Sequence, residues 1–195
     1  MNVQDIDRTS HAPDPTPKNR NKRTQITWWD GLAVAMAFAW IFPEIGALAS
    51  KGTISTRLSP AIEGGLHFAD LSSGPQYLFI AALALKFIAL LTTVFLVVHS
   101  FGDMAKGEVF TEKNSRRLVG GMAGIFVFLF ARLGLEGMAN NWASAELGID
   151  WWHGAGTSTP LSDMAPALVL ACVLGALATI LRRGAQLEED VEGLV

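Results

Sequence analysis

Long apolar runs divided by short polar segments dominate this chain. The runs cover roughly residues 28–49, 78–100, 118–137 and 164–181. A hydrocarbon core of about 30 Å takes about 20 mostly apolar residues of helix, so the pattern predicts four membrane-spanning helices. The connection between the second and third is short enough to make them antiparallel neighbours. The expected fold is therefore all-α: an up-down-up-down four-helix transmembrane bundle over residues 28–195. Residues 1–27 are polar, carry Pro13, Pro15 and Pro17, and are expected to form a disordered tail. Its basic stretch, the apolar run from Gly31 to Phe42 and the triplet Ala47-Leu48-Ala49 also have the order of a cleavable secretory signal. The long polar lead, and an apolar run that continues through Ile45 and Leu48, favour an uncut first span.

Helices in lipid associate through small residues that let backbones approach. The fourth run offers Ala167, Ala171, Gly175 and Thr179 at four-residue spacing, and the third opens with the pair Gly120 and Gly124. Packing within the chain is the expected use of these stripes. A stripe left over would serve a homodimer.

Half of the 195 residues are hydrophobic, and four spans leave no room for a separate soluble domain. The net charge of −3 matters less than where the charges lie. Eleven basic residues fall in the N-terminal tail, in the 106–117 connection and after the fourth span, against two, Lys51 and Arg57, in the first loop. Basic residues in short loops mark the cytoplasmic side, so both termini are expected in the cytoplasm, with the protein in the cell membrane. Trp28 and Trp29, and Trp142, Trp151 and Trp152 in the outer loop after span three, are expected to anchor at the headgroups.

Ionisable residues at membrane depth are costly and point to function by default. Counting 1.5 Å per residue, Lys86 lies about 12 Å below the outer surface and Arg132 about 7–8 Å below it. Glu44, directly after Pro43, sits about a turn before the outer end of the first span. Glu136 follows Arg132 by four residues, on the same face of a regular helix. The expectation is an outer charged cluster of Glu44, Lys86, Arg132 and Glu136, with Arg132 paired to Glu136. Such a cluster could bind a small charged ligand or relay protons. Alternatively it is a neutralised network fixing helix register, with Lys86 snorkelling outward.

The remaining chemistry is sparse. His67, His99 and His153, with Asp70 and Asp150, show no metal-ligand spacing. The one cysteine, Cys172, lies inside the fourth run. No nucleophile motif or phosphate loop is present, so catalytic residues, metal, cofactor and direct nucleic-acid binding are not expected.

Two segments assigned to the cytoplasmic side complete the picture. One is Lys106-Gly107-Glu108-Val109-Phe110-Thr111-Glu112-Lys113-Asn114, followed by Arg117-Leu118 and Gly120-Gly121. The other runs from Leu181 through Gly184, Leu187, Glu188, Glu189 and Asp190 to Val195. Gly107 permits a turn, Phe110 can plug the bundle floor, and Thr111 can cap a helix from Glu112. Arg116 and Arg117 reach headgroup level. Asn114 is expected to bond the C-terminal segment, and Glu188, Glu189 and Asp190 to pair with the loop's bases in a clasp or a partner face. These segments resemble a bacterial four-span family known only as domain of unknown function 2975. In that family a K-G-x-x-F-T-x-x-N turn precedes the third span, and a segment with glycine, leucine and paired glutamates ends the chain. The resemblance covers about residues 28–195 and implies a regulatory context, without an activity. The functional expectation is a non-enzymatic membrane protein with a regulatory or signalling role and a cytoplasmic protein partner. The alternative is a small oligomeric transporter or channel component using the outer charged pocket.

Overall fold

The computed structural model describes residues 28–149 and 161–193. Helix α1 spans Trp28–Lys51, α2 Ser73–Ala105, α3 Glu112–Phe130, α4 Glu136–Leu147 and α5 Leu161–Glu192. A π-helical turn, Ala131–Leu135, joins α3 to α4 without a break. Four rods are long and apolar enough to cross a membrane: Gly31–Lys51, Ser73–Ala105, Glu112–Leu147 and Met164–Val191. The chain is an all-α four-helix bundle of multi-pass type.

The rods outrun the predicted spans. Helix α2 begins before Leu78 and ends past Ser100, and the third rod continues beyond Gly137 to Leu147. At 1.5 Å per residue these two reach about 50 and 54 Å, well beyond about 30 Å of hydrocarbon. Helix α5 likewise carries the C-terminal segment as its own continuation. Polar residues in the outer turns, such as Gln76, Asn140 and Gln186, end the hydropathy signal without ending the helix.

Helix α3 packs against α2 on one side and α5 on the other, and α1 lies along α2. Helix α5 seats Ala171, Leu174, Ala178 and Leu181, at three- and four-residue spacing, against Leu118, Ile125 and Leu129. A Cβ on Gly175 would stand 3.0 Å from Met122 Sδ, so part of the predicted stripe is used against α3. Thr179 is exposed and donates to the Gly175 carbonyl at 2.9 Å. The Gly120/Gly124 pair forms the seam with α2, where a Cβ on Gly124 would meet Thr93 Oγ1 at 2.2 Å and the Ala89 carbonyl at 3.3 Å. On α1, Ala37 and Ile41 are buried while Met36, Phe42 and Ile45 are exposed, the distribution of a helix with one face on protein and the rest toward lipid.

The α1–α2 connection is an ordered cap where the sequence suggested a plain loop. Strands β1 (Thr53–Ile54) and β2 (Leu66–His67) pair antiparallel, Thr53 opposite His67. Leu58, between the strands, and Leu66 of β2 are buried and pack with Leu71, Phe79, Ala139 and Ala143, joining the cap to α2 and α4. Gln76 Nε2 donates to the carbonyls of Phe68 and Leu71 at 2.8 and 2.9 Å. Glu146 of α4 accepts from the backbone N–H of Ser72 at 3.2 Å and from its hydroxyl, which places a carboxylate at the positive end of α2. Helix α4 stops at Gly148, whose φ of 66° is the left-handed cap conformation. Trp142 lies on α4, not in a loop; its ring covers Gly74, where a Cβ would be 2.5 Å away. The 1–27 tail, Asp150, Trp151, Trp152 and His153 lie outside the described residues.

Candidate functional site: a charged cavity beneath the cap

Three rods meet in an ionic triad beneath the cap. Lys86 Nζ of α2 donates to Glu44 Oε2 of α1 at 2.7 Å and to Glu136 Oε2 at the start of α4 at 2.9 Å. Lys86 and Glu136 are each 7% exposed, while the Glu44 side chain keeps 29% of its surface open. Charges this far from water persist only when paired and hydrogen-bonded. Convergence of Glu44, Lys86 and Glu136 therefore agrees with the expectation from their shared depth. Snorkelling does not occur, because two carboxylates hold the ammonium inside.

The expected Arg132–Glu136 pair is absent. Arg132 sits in the π turn that joins α3 to α4. Glu136 is already committed to Lys86. Arg132 has no ion pair or hydrogen bond among the described residues.

Arg132 instead lines a cavity of about 560 Å³ with Glu44, Lys86 and Glu136. Ser55, Thr56 and Arg57 of the cap form its upper side, Asn140 and Asn141 of α4 one flank, and Trp40 and Phe128 an aromatic wall. The Trp40 and Phe128 rings lie 5.1 Å apart between centroids. Arg57 has an interaction of its own. Asn140 is 1% exposed, and its Oδ1 has no partner. An orphaned buried polar atom costs about 1–3 kcal/mol. Both Arg57 and Asn140 were missed in the sequence, because each falls in a segment with the appearance of an outer loop.

The opposite end is organised differently from the expectation. Thr111 caps α3 by accepting from the Asn114 N–H at 3.2 Å, and Gly107 turns at φ 92°, as their types predict. Phe110 does meet the C-terminal segment: its ring fills the space over Gly184, where a Cβ would be 2.1 Å from it. The charges take no part in that contact. Lys106, Lys113 and Arg117 all converge on Asp103, in the last turn of α2, at 3.5, 3.2 and 2.7 Å, and Arg116 pairs with Glu112 at 2.7 Å. Asn114 donates to the Glu108 carbonyl at 2.7 Å and makes no bond to the C-terminal segment. Among the described residues Glu188 and Glu189 form no ion pair; they border a surface hollow with Phe110, Glu112, Arg182 and Gln186. Asp103 is reached before the C-terminal acids because a tight helix-turn-helix puts it directly across from Arg117.

The clasp is thus a ring on a glycine. Phe110→Ala is expected to cost about 1 kcal/mol of local stability, half of what a fully buried ring supplies, and to raise protease cutting at the Gly107 turn about fivefold. Cutting at the wild-type rate would show that Phe110 does not restrain the turn.

No three or more His, Cys, Asp or Glu residues are grouped to hold a metal ion among the described residues. No family model, curated protein or solved structure matches the chain.

Proposed function

We propose that this chain is a regulatory or signalling protein of the cell membrane, of the four-span type it resembles, with both termini cytoplasmic. In this reading the cavity beneath the outer cap receives a small polar ligand. The Phe110/Gly184 end, with Glu188 and Glu189 open beside it, is the face for a cytoplasmic protein. The observation that carries the reading is the cavity itself: three rods and the cap meet at one polar space whose ionic contacts cross between them. A ligand there touches α1, α2 and the third rod at once, and differential contact with several elements is what lets a ligand bias a conformational equilibrium.

The close α2–α3 seam below the cavity supports a receptor over a conduit. Thr93 bonds the Ala89 carbonyl at 2.8 Å and reaches the Gly121 carbonyl at 3.4 Å, and the Gly124 backbone lies against it. A conduit running through a single bundle would need that seam to part.

Orientation and partner are tested together. With Cys172 replaced by Ser, a cysteine at exposed Glu63 in the cap is expected to react with an impermeant thiol reagent on intact cells. One at Lys113 should react only after permeabilisation. The reverse pattern overturns the topology. Purification of the intact protein from its native membrane is expected to retain a cytoplasmic protein that is lost on deleting residues 184–195. A homo-oligomer alone, with or without that deletion, would favour the transport reading.

A further inference from the structure

We propose that the cavity beneath the cap is a site for a small zwitterion with a carboxylate and an ammonium group, the chemistry of a free α-amino acid. The inference rests on the reading that the cavity receives a ligand, and specifies what that ligand is. Arg132 supplies the anchor for the carboxylate. It lines the cavity, has no protein partner among the described residues, and offers a planar fork suited to bidentate carboxylate binding. Glu136 is taken by Lys86, so Arg132 shares the cavity wall with it without pairing.

The other half of the ligand follows from what surrounds Arg132. Glu44 shares one oxygen with Lys86 and remains partly open to the cavity. Trp40 and Phe128 stand beside it, and aromatic faces attract an ammonium group. Asn140 and Asn141 add side-chain amides to the lining. A purely anionic ligand would face Glu44 and Glu136, and a purely cationic one would face Lys86 and Arg132. A ligand with both signs matches both sets. The volume of about 560 Å³ lies within the usual range for small-molecule sites, about 300–1,000 Å³.

The test uses the intact protein in detergent. An equimolar mixture of the twenty protein amino acids is the first probe, and its members are then tried singly by melting temperature and calorimetry. Propionate and ethylamine, each carrying one half of the chemistry, are the controls. At about a hundredfold excess over Kd, a binding amino acid is expected to raise the melting temperature by about 5 °C, with neither control doing so. Arg132→Gln should melt like the wild type without ligand, because Arg132 makes no hydrogen bond or ion pair among the described residues, yet bind about 10- to 100-fold more weakly. Arg132→Lys, which keeps the charge and loses the fork, should also weaken binding. Equal stabilisation by propionate or ethylamine would overturn the zwitterion while leaving the cavity as a ligand site. No response to the mixture, or wild-type binding by Arg132→Gln, would overturn the proposal. Failure of the intact protein to retain any cytoplasmic partner would instead count against the signalling reading, whatever binds in the cavity.

Discussion

Replacing Lys86 by Met is expected to destabilise the protein by about 3–5 kcal/mol, the cost of removing one partner from a buried ionic group. Methionine fills the volume of the lysine stem but leaves Glu44 and Glu136 facing each other with no cation between them. Each carboxylate would then be buried without its counter-charge. In detergent this should appear as a fall in melting temperature of about 10 °C. The informative companion is the triple variant K86M/E44Q/E136Q, which removes charge from all three rods together. Buried ion pairs are often worth no more than neutral groups of the same shape, so the triple variant should recover most of the loss. Strong non-additivity of that kind marks residues in one network. A Lys86→Met protein as stable as the wild type would overturn the triad as a structural element.

The triad was legible because its members are expensive. A lysine and two glutamates in apolar runs need partners, and counting residues along helices of known rise put them at one depth. The geometry around Arg132 was not legible. Nothing in Ala131-Arg132-Leu133-Gly134-Leu135 marks a π turn, and with a regular period Glu136 is the natural partner for Arg132. Lys86 takes Glu136 instead, and Arg132 is left as a cation on the cavity wall.

The cap has a different history. Ile54, Leu58, Ile62 and Leu66 recur at four-residue intervals in the first loop, a signal for a buried face that the stronger pattern of the spans obscured. Its burial against Ala139 and Ala143 depends on the third rod projecting past the hydrocarbon, which apolarity alone does not report. Asn140 and Arg57 join the cavity for the same reason: an extended α4 and a folded cap bring together residues that read as loop. At the other end, the expected pairing of the loop's bases with the C-terminal acids is not what forms. Proximity in the helix-turn-helix decided that Asp103, and not Glu188 or Glu189, would pair with them.

The α2–α3 seam carries the second large effect. Gly124→Ala is expected to destabilise by about 2–3 kcal/mol, in the range of overpacking in a filled core. The new methyl would occupy the position of Thr93 Oγ1, 2.2 Å away. Thr93 must then turn out of its rotamer and give up its bond to the Ala89 carbonyl, or the helices must separate. Helices in lipid associate through close packing, so separation sacrifices contacts along the whole seam. Removing the obstructing hydroxyl separates the two causes. With Thr93→Ala in place, the nearest remaining atoms to the new methyl are the Ala89 carbonyl oxygen at 3.3 Å and the residue-93 Cβ at 3.5 Å, and a small adjustment accommodates them. The double variant G124A/T93A should therefore be about 1 kcal/mol or more stabler than the sum of the single losses implies. Thermal melting of the four proteins in one detergent gives that coupling directly. Additive losses would mean that the helices part when Gly124 is replaced, and that the Thr93 hydroxyl is not what the glycine accommodates.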